Sequence, residues 1–293
     1  MTSLSRIALP AAQIVELAGA DAIAFAQAQF SSNLAELENG HWQWSAWLSA
    51  QGRVRAFFHL LRDDDEHLRL ILRGTSAAGM RDALARYVLR AKATLRAIEP
   101  DHTFVEIRLG TGSRPGPQQP WRIEYHDGSS AITLPGTPQR RLILGNADEA
   151  AIAADASQAA RNKNTLADIA AGIVSLAPTL EDKLLPAWIG LDALAATSTN
   201  KGCYPGQEIV ARLHFKGGNK RRLHRIRFAA AQLPEPGTPL GDGGLVICSA
   251  RINGEQAAAL AVLDEHAASS AGGLVMPGIS LLEVERVDVA VKN

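Results

Sequence analysis

The segment from Lys201 to Glu208 holds residues whose types and spacing could do chemistry. It reads Lys-Gly-Cys-Tyr-Pro-Gly-Gln-Glu and is followed by apolar residues at helical spacing. We expect Pro205 to take the first helical position and Glu208 the first turn, where a carboxylate meets the positive end of the helix dipole. Cys203 would then lie just before a helix N-terminus, two residues after Lys201. Both features favour the thiolate form.

The stretch that follows this segment is basic. No acidic residue lies between Glu208 and Glu235. In that gap stand Arg212, Lys216, Lys220, Arg221, Arg222, Arg225 and Arg227, with His214 and His224. We call Arg212 to Arg227 the basic block. Next to a thiolate it predicts an anionic ligand such as a phosphate, a carboxylate or a nucleic-acid backbone. The alternative is a solvated charged face.

The two cysteines suggest different roles and one compartment. Cys248 lies in the apolar run Leu-Val-Ile-Cys-Ser, which is typical of a small buried side chain. Two cysteines cannot form a disulfide framework, and they fit a reducing compartment. The sequence contains no CxxC, HExxH or GxGxxG motif, and we predict no metal site. Because no apolar run reaches the ~18–20 residues of a membrane helix, we expect a cytoplasmic protein.

Composition excludes several classes of protein. The 293 residues carry 30 Lys and Arg against 30 Asp and Glu, so the formal net charge is zero. This balance argues against a histone-like coat on nucleic acid, a polybasic membrane anchor and an acidic disordered tail. Hydrophobic residues make up 46% of the chain, an ordinary globular composition. The length suggests about two domains.

Periodicity predicts an α+β body over residues 1–218 and an all-β domain over residues 219–293. A Pro- and Gly-rich loop at residues 110–120 interrupts the body. The turn Ser49-Ala50-Gln51-Gly52 separates two strands. Predicted strands are 14–17, 42–48, 54–61, 67–72, 94–98, 103–109, 121–125, 141–144, 223–228, 245–252, 257–262 and 281–291. Predicted helices are one capped by Asp21 and others at 77–91, 148–160, 165–171 and after Pro205. The alternating Trp42–Leu48 segment indicates a half-buried strand.

The segment 201–208 resembles, at every fixed position, the KGCYxGQE motif of the YgfZ family. These are folate-binding proteins of the aminomethyltransferase, or glycine cleavage T-protein, fold, linked to iron–sulfur cluster maintenance and tRNA modification. Further similarity lies in residues 17–33, in the Ser49–Arg53 turn and in the Ile169–Ile173 helix end. The chain departs from the family pattern at Ser49, Val174 and Gly190, where the family has Asp, Pro and Asn.

The resemblance implies a fold and a set of functional residues. The fold would be a two-lobed body of ferredoxin-like α+β parts around a central folate cleft, followed by a C-terminal antiparallel β-barrel. Cys203 would be the functional thiol, within the motif residues Lys201, Gly202, Tyr204, Gly206, Gln207 and Glu208. Tetrahydrofolate or a derivative would bind near Asn33, Trp188, Arg212, Arg221 and Arg222, with its glutamate tail on the arginines.

Three functions follow from the sequence. The first is a tetrahydrofolate-binding accessory protein that supports iron–sulfur cluster assembly or repair and iron–sulfur-dependent tRNA modification. Its partners would be folate and iron–sulfur or tRNA-modifying proteins, with no membrane and no specific DNA. The second is a folate-dependent aminomethyltransferase, although no acid is convincingly placed for that chemistry, so catalytic turnover stays open. The third is an RNA-binding or interaction module that uses the basic block.

Overall fold

The computed structural model describes residues 3–109, 121–136, 138–145, 154–241, 243–269 and 279–287. The predicted loop at 110–120 lies outside these residues. The strands are β1 (Ser3–Ala8), β2 (Ile14–Ala18), β3 (His41–Leu48), β4 (Val54–Arg62), β5 (His67–Leu72), β6 (Thr94–Ile98), β7 (His102–Leu109), β8 (Trp121–Arg122), β9 (Glu124–His126), β10 (Ser129–Leu134), β11 (Gln139–Gly145), β12 (Arg221–Ala230), β13 (Pro239–Leu240), β14 (Gly244–Arg251), β15 (Gln256–Asp264) and β16 (Ile279–Arg286).

Helices are fewer than strands and mostly short. They are α1 (Ala22–Gln29), α2 (Ala77–Ala85), α3 (Gln158–Ala171), α4 (Gln207–Lys216) and α5 (Glu265–Ser269), with two 3₁₀ turns at Pro178–Leu180 and Pro186–Trp188. In the described part of the chain, no helix combines the length and the apolarity that crossing a membrane requires.

The strands in the described part of the chain form three antiparallel sheets. The first has the order β1-β7-β11-β10-β9, the second β6-β2-β5-β4-β3-β8 and the third β13-β14-β15-β12-β16. The third sheet is built from residues 221–286, within the predicted all-β part. Its described strands form one five-stranded sheet that ends in two edge strands, β13 and β16, so the closed C-terminal barrel is not confirmed. The two-lobed arrangement likewise stays a prediction.

The second sheet is buried on both faces, which differs from the half-buried strand predicted for Trp42–Leu48. Trp42 and Trp44 belong to the large apolar core shared with the other two sheets. Trp47, on the opposite face of the same strand, packs in a second core with α1 and α2. The prediction was wrong because Gln43 and Ser45, polar in sequence, are buried and hydrogen-bonded to Ser32.

Several predicted elements have different ends in the structure. The helix predicted for residues 77–91 stops at Ala85, although Val88 and Ala91 still pack on the core beneath α2. The side chain of Asp21 does not cap α1; it accepts a hydrogen bond from the amide of Lys92. Residues 158–171 form one helix rather than two, whereas residues 148–153 lie outside the described part. The predicted strands 14–17, 54–61, 67–72 and 94–98 are confirmed to within about two residues.

Candidate functional site around Cys203

The motif segment is a loop, and the helix starts later than predicted. Gly206 precedes α4 with φ +79°, a left-handed conformation that no helix contains, so Pro205 is not the first helical residue. Helix α4 begins at Gln207, and Glu208 lies in its first turn as predicted. Cys203 therefore stands four residues before the helix rather than at its N-terminus.

The motif loop packs directly on the predicted turn at Ser49–Gly52. A Cβ placed on Gly206 would lie 2.6 Å from the carbonyl oxygen of Ser49, and one placed on Gly52 would lie 2.7 Å from Cβ of Ile209. Both glycines have a positive φ. Two backbones thus approach to a distance that a side chain would prevent, which gives a physical reason for glycine at both places.

The ammonium of Lys201 is inserted into the body of the protein. Its Nζ donates to the carbonyl oxygens of Phe30 and Ser32, both at 2.7 Å, and lies 5.1 Å from the centre of the Tyr204 ring. Burial lowers the pKa of Lys201 to about 7. The sequence predicted that this charge favours the Cys203 thiolate. In the described part of the chain its hydrogen bonds run to backbone carbonyls instead.

Two more side chains of the motif fix the same loop. The hydroxyl of Tyr204 donates to the carbonyl oxygen of Ser198 at 2.9 Å, and burial raises the pKa of this phenol. Nε2 of Gln207 donates to the carbonyl oxygen of Lys201 at 3.2 Å. Ser198 in turn donates its amide to the carbonyl oxygen of Ser31. The loop is therefore held on both sides of Cys203: Lys201 contacts segment 30–32 directly, and Tyr204 is linked to it through Ser198.

The thiol of Cys203 itself is exposed. Its loop is tied down by buried or half-buried neighbours, so a solvent-facing sulfur sits on a rigid support. Cys248, by contrast, is half-buried on β14, and desolvation raises its pKa to about 12. This agrees with the contrast expected from sequence. Among the described residues, no group of three or more His, Cys, Asp or Glu side chains is placed to hold a metal ion.

A guanidinium–tryptophan cluster lies beside the motif. The guanidinium carbons of Arg53 and Arg221 lie 5.1 and 4.8 Å from the centre of the Trp188 ring. The sequence named Trp188 and Arg221 as folate-binding residues, and the structure brings these two together. It missed Arg53, although Arg53 follows Gly52 in the turn that already carried the family resemblance. We refer to Arg53, Trp188 and Arg221 as the stacked cluster.

Three of the six remaining Arg and Lys side chains of the basic block face a carboxylate in the described residues. Arg222 lies 3.6 Å from Glu265, whereas Arg225 and Arg227 pair with carboxylates of β16, Glu285 and Glu283, at 2.6 and 3.1 Å. The sequence showed an acid-free stretch, but the sheet supplies acids from a strand more than 50 residues away. In the described residues, the side chains of Arg53 and Arg221 form no ion pair, which sets them apart from these three.

The other predicted folate residues, Asn33, Arg212 and Arg222, do not contact the Trp188 ring in the described structure. Asn33 follows Ser32, the carbonyl partner of Lys201, and its amide oxygen accepts from Gln27 at 2.9 Å. Arg212 is exposed on α4. Arg222 lines a cavity of about 350 Å³ between α4 and residues 186–199, together with Asp192, Thr197, Thr199, Ile209 and Asn219. Ile209, which lines this cavity, directly follows the motif in the chain and packs on the Gly52 turn.

The sequence of the chain is similar to those of known proteins. No family profile matches the chain. It is 31% identical over 233 residues to the tRNA-modifying protein YgfZ of Edwardsiella ictaluri, covering 75% of this chain and 70% of that one. It is 27% identical to the protein of the same name from Cronobacter sakazakii, covering 80% and 74%.

A solved structure shows the fold. The glycine cleavage system aminomethyltransferase T of Bartonella henselae matches 97% of this chain and 84% of its own with a TM-score of 0.67, at 13% identity. That identity supports a shared fold and not a shared reaction. From the identity to the Edwardsiella ictaluri relative, and in agreement with the motif at 201–208, this chain belongs to the YgfZ family, on the fold of aminomethyltransferase T.

Proposed function

We propose that this protein is a tetrahydrofolate-binding accessory protein that supports iron–sulfur-dependent tRNA modification, with Cys203 as its functional thiol. The observation that carries the proposal is the way the motif presents that sulfur. Lys201, Tyr204 and Gln207 are all turned inward and bonded, whereas Cys203 between them faces solvent. A loop held this firmly around one exposed thiol is suited to a reaction or a transient bond at sulfur.

The stacked cluster supports the folate part of the proposal. A guanidinium held over an aromatic ring keeps its N–H donors oriented at its edge, where they suit a carboxylate. Arg53, next to the Gly52 turn, and Arg221, at the start of β12, place two such groups at the same tryptophan ring. The carboxylates of a folate glutamate tail match this arrangement in charge and in hydrogen-bonding capacity.

The tRNA part rests on the relatives, which are named as tRNA-modifying proteins. An RNA interface on the basic block is less favoured by the structure. Arg222, Arg225 and Arg227 each face a carboxylate, and an ion-paired guanidinium must give up that partner before it binds a phosphate. The aminomethyltransferase alternative is supported by the fold alone.

A complementation experiment tests the proposal. In bacteria that lack the gene, wild-type protein should restore iron–sulfur-dependent tRNA thiolation, measured as thiolated nucleosides by mass spectrometry, whereas Cys203→Ser should not. Glu255→Gln, on an exposed hairpin tip, is the matched control and should restore it. Full restoration by a stably folded Cys203→Ser protein would refute the role of the thiol. Absence of tetrahydrofolate binding by calorimetry would refute the folate part independently.

A further inference from the structure

The segment that links α2 to β6 carries positive charge outside the basic block. No acidic residue lies between Asp82 and Glu99. The cations of this run are Arg86, Arg90, Lys92 and Arg96. Arg96 lies 3.9 Å from Glu16. The side chains of the other three are exposed and form no ion pair in the described part of the chain. Unlike the paired arginines of β12, these three cations keep their charge available to a ligand.

Two large apolar side chains are exposed among these cations. Leu89 is 86% exposed and Tyr87 is 49% exposed. Among the described residues, the ring of Tyr87 contacts no other aromatic ring and no cation, and its hydroxyl has no hydrogen-bond partner. A half-exposed ring without a stacking partner offers one face to a planar group of a ligand.

The inward side of the segment holds it in place. Val88 and Ala91 pack on the core that contains α1 and α2. The amide of Lys92 donates to Oδ2 of Asp21 at 2.7 Å, and the carbonyl oxygen of Lys92 accepts from the amide of Asp21 at 3.2 Å. The amide of Tyr87 donates to the carbonyl oxygen of Leu84 at 2.9 Å. The exposed side chains therefore stand on a backbone fixed at both ends, which lowers the entropy lost on binding.

We refer to Arg86, Tyr87, Leu89, Arg90 and Lys92 as the 86–92 surface. Single-stranded RNA presents phosphates to cations and base faces to aromatic rings, so it matches this surface in both respects. A protein interface has an apolar centre with charges at its rim, whereas here a cation stands directly beside each apolar residue in the chain. A lipid surface is bound by an amphipathic helix, and residues 86–93 are not helical.

We propose that the 86–92 surface binds a single-stranded segment of tRNA. One base would stack on Tyr87, with Leu89 against its neighbour, and the flanking phosphates would pair with Arg86, Arg90 and Lys92. The choice of tRNA rests on the proposed function, whereas the preference for unpaired RNA rests on this surface alone. The site is built without Cys203 and without the stacked cluster, so RNA binding needs neither the thiol nor folate.

The test is fluorescence anisotropy on full-length protein. The probes are a labelled RNA hairpin with an unpaired loop and a fully paired RNA duplex with the same number of phosphates. We expect saturable binding of the hairpin, at least tenfold tighter than that of the duplex, because only the loop offers base faces. With three cations on phosphates, the logarithm of the association constant should fall with the logarithm of salt concentration with a slope of about −2.

Two variants locate the binding. Tyr87→Ala should weaken hairpin binding about tenfold, because one stacked base is lost. Arg90→Gln should weaken it and reduce the size of the salt slope by about 0.7. Both side chains are exposed, so the midpoint of thermal unfolding should stay near that of wild type.

Two matched controls remove the same side-chain types elsewhere. Arg122→Gln changes an exposed arginine that forms no ion pair in the described structure. It lies on β8, at the opposite edge of the second sheet from β6, five strand spacings or about 24 Å away. Phe215→Ala removes a ring of α4 that is 73% exposed. Both variants should bind the hairpin like wild type.

The proposal is overturned if the hairpin does not bind, if the duplex binds as tightly, if Tyr87→Ala or Arg90→Gln binds normally, or if either control loses binding to the same extent. Tighter binding to phosphatidylglycerol vesicles than to the hairpin, or a dimer that Leu89→Ser dissociates in light scattering, would also overturn it. Cys203→Ser should bind the hairpin like wild type. Failure of RNA binding and failure of the thiol in cells are therefore separate outcomes.

Discussion

Nζ of Lys201 lies 2.7 Å from the carbonyl oxygen of Ser32, although 169 positions separate the two residues in the chain. This hydrogen bond joins the motif loop to the segment that follows α1. With the second bond, to the carbonyl oxygen of Phe30, it makes Lys201 a cross-link between the N-terminal part of the chain and the loop that carries Cys203. The lysine of the motif therefore has a positioning role that its spacing from the cysteine does not reveal.

Replacing Lys201 should change both the stability of the protein and its dependence on pH. Lys201→Met leaves the carbonyls of Phe30 and Ser32 without their donor and should lower the free energy of unfolding by about 1–3 kcal/mol. The pKa of Lys201 is about 7 in the folded protein and 10.5 in the unfolded reference. Between these values the unfolded chain binds more protons, so the stability that wild type gains over Lys201→Met should rise as pH increases from 7 to 10.

Urea unfolding at several pH values measures this difference. The neutral amine still has two N–H donors for the two carbonyls, so the bonds themselves persist at high pH. Lys163→Met, which replaces an exposed lysine of α3, is the control and should differ little from wild type. A wild-type advantage that stays constant from pH 7 to pH 10 would contradict a desolvated Lys201.

The two glycines of the motif should respond very differently to alanine. Gly206→Ala places a Cβ 2.6 Å from the carbonyl oxygen of Ser49 at a positive φ, and should cost on the order of 2 kcal/mol or more in stability. Gly202→Ala meets no atom within 4 Å and should stay within about 0.5 kcal/mol of wild type. Thermal unfolding of the two variants gives the comparison. Equal losses would show that the loop does not pack on the Ser49–Gly52 turn as described.

The thiols should be modified at very different rates. Cys203 is exposed, whereas burial raises the pKa of Cys248 to about 12. In native protein treated with a thiol reagent at pH 8, one thiol should therefore react quickly and the second much more slowly. Peptide mapping by mass spectrometry identifies the modified residue. Labelling of Cys248 as fast as that of Cys203 would contradict the exposed position of Cys203 and the raised pKa of Cys248.

The stacked cluster should discriminate folates by the length of their glutamate tail. Loss of one charge-assisted contact is worth about 1.5–3 kcal/mol, or roughly a 10- to 150-fold change in Kd. Arg53→Gln and Arg221→Gln should each weaken binding of tetrahydrofolate triglutamate by about this factor and affect the monoglutamate less. Arg227→Gln, whose guanidinium already pairs with Glu283, is the matched control. If all three variants bind the triglutamate like wild type, the tail does not bind at the cluster.

The sequence predicted a local feature well where the residues that determine it lie in one short segment. The turn at Ser49–Gly52, the alternating or β-branched strands and the motif at 201–208 are of this kind. The sequence-based prediction failed where a contact with a residue far along the chain determines the conformation or the charge pairing. Pro205 looked like a helix start, but packing of Gly206 against the Ser49 carbonyl holds the chain in a left-handed conformation and delays α4 to Gln207. Arg225 and Arg227 looked unpaired because their acids come from β16.

The sequence alone determined the residue types of the motif and the family resemblance. It also identified Cys203 as the candidate functional thiol. Tertiary structure decided what each side chain of the motif does. Lys201 is desolvated by burial and bound by carbonyls from residues 30 and 32, and the guanidinium groups of Arg53 and Arg221 both lie about 5 Å from the Trp188 ring. Likewise, only the fold places Asp168 of α3 2.7 Å from both Arg73 and Arg140. Burial and long-range pairing depend on which surfaces the folded chain brings together, and a linear pattern does not encode that directly.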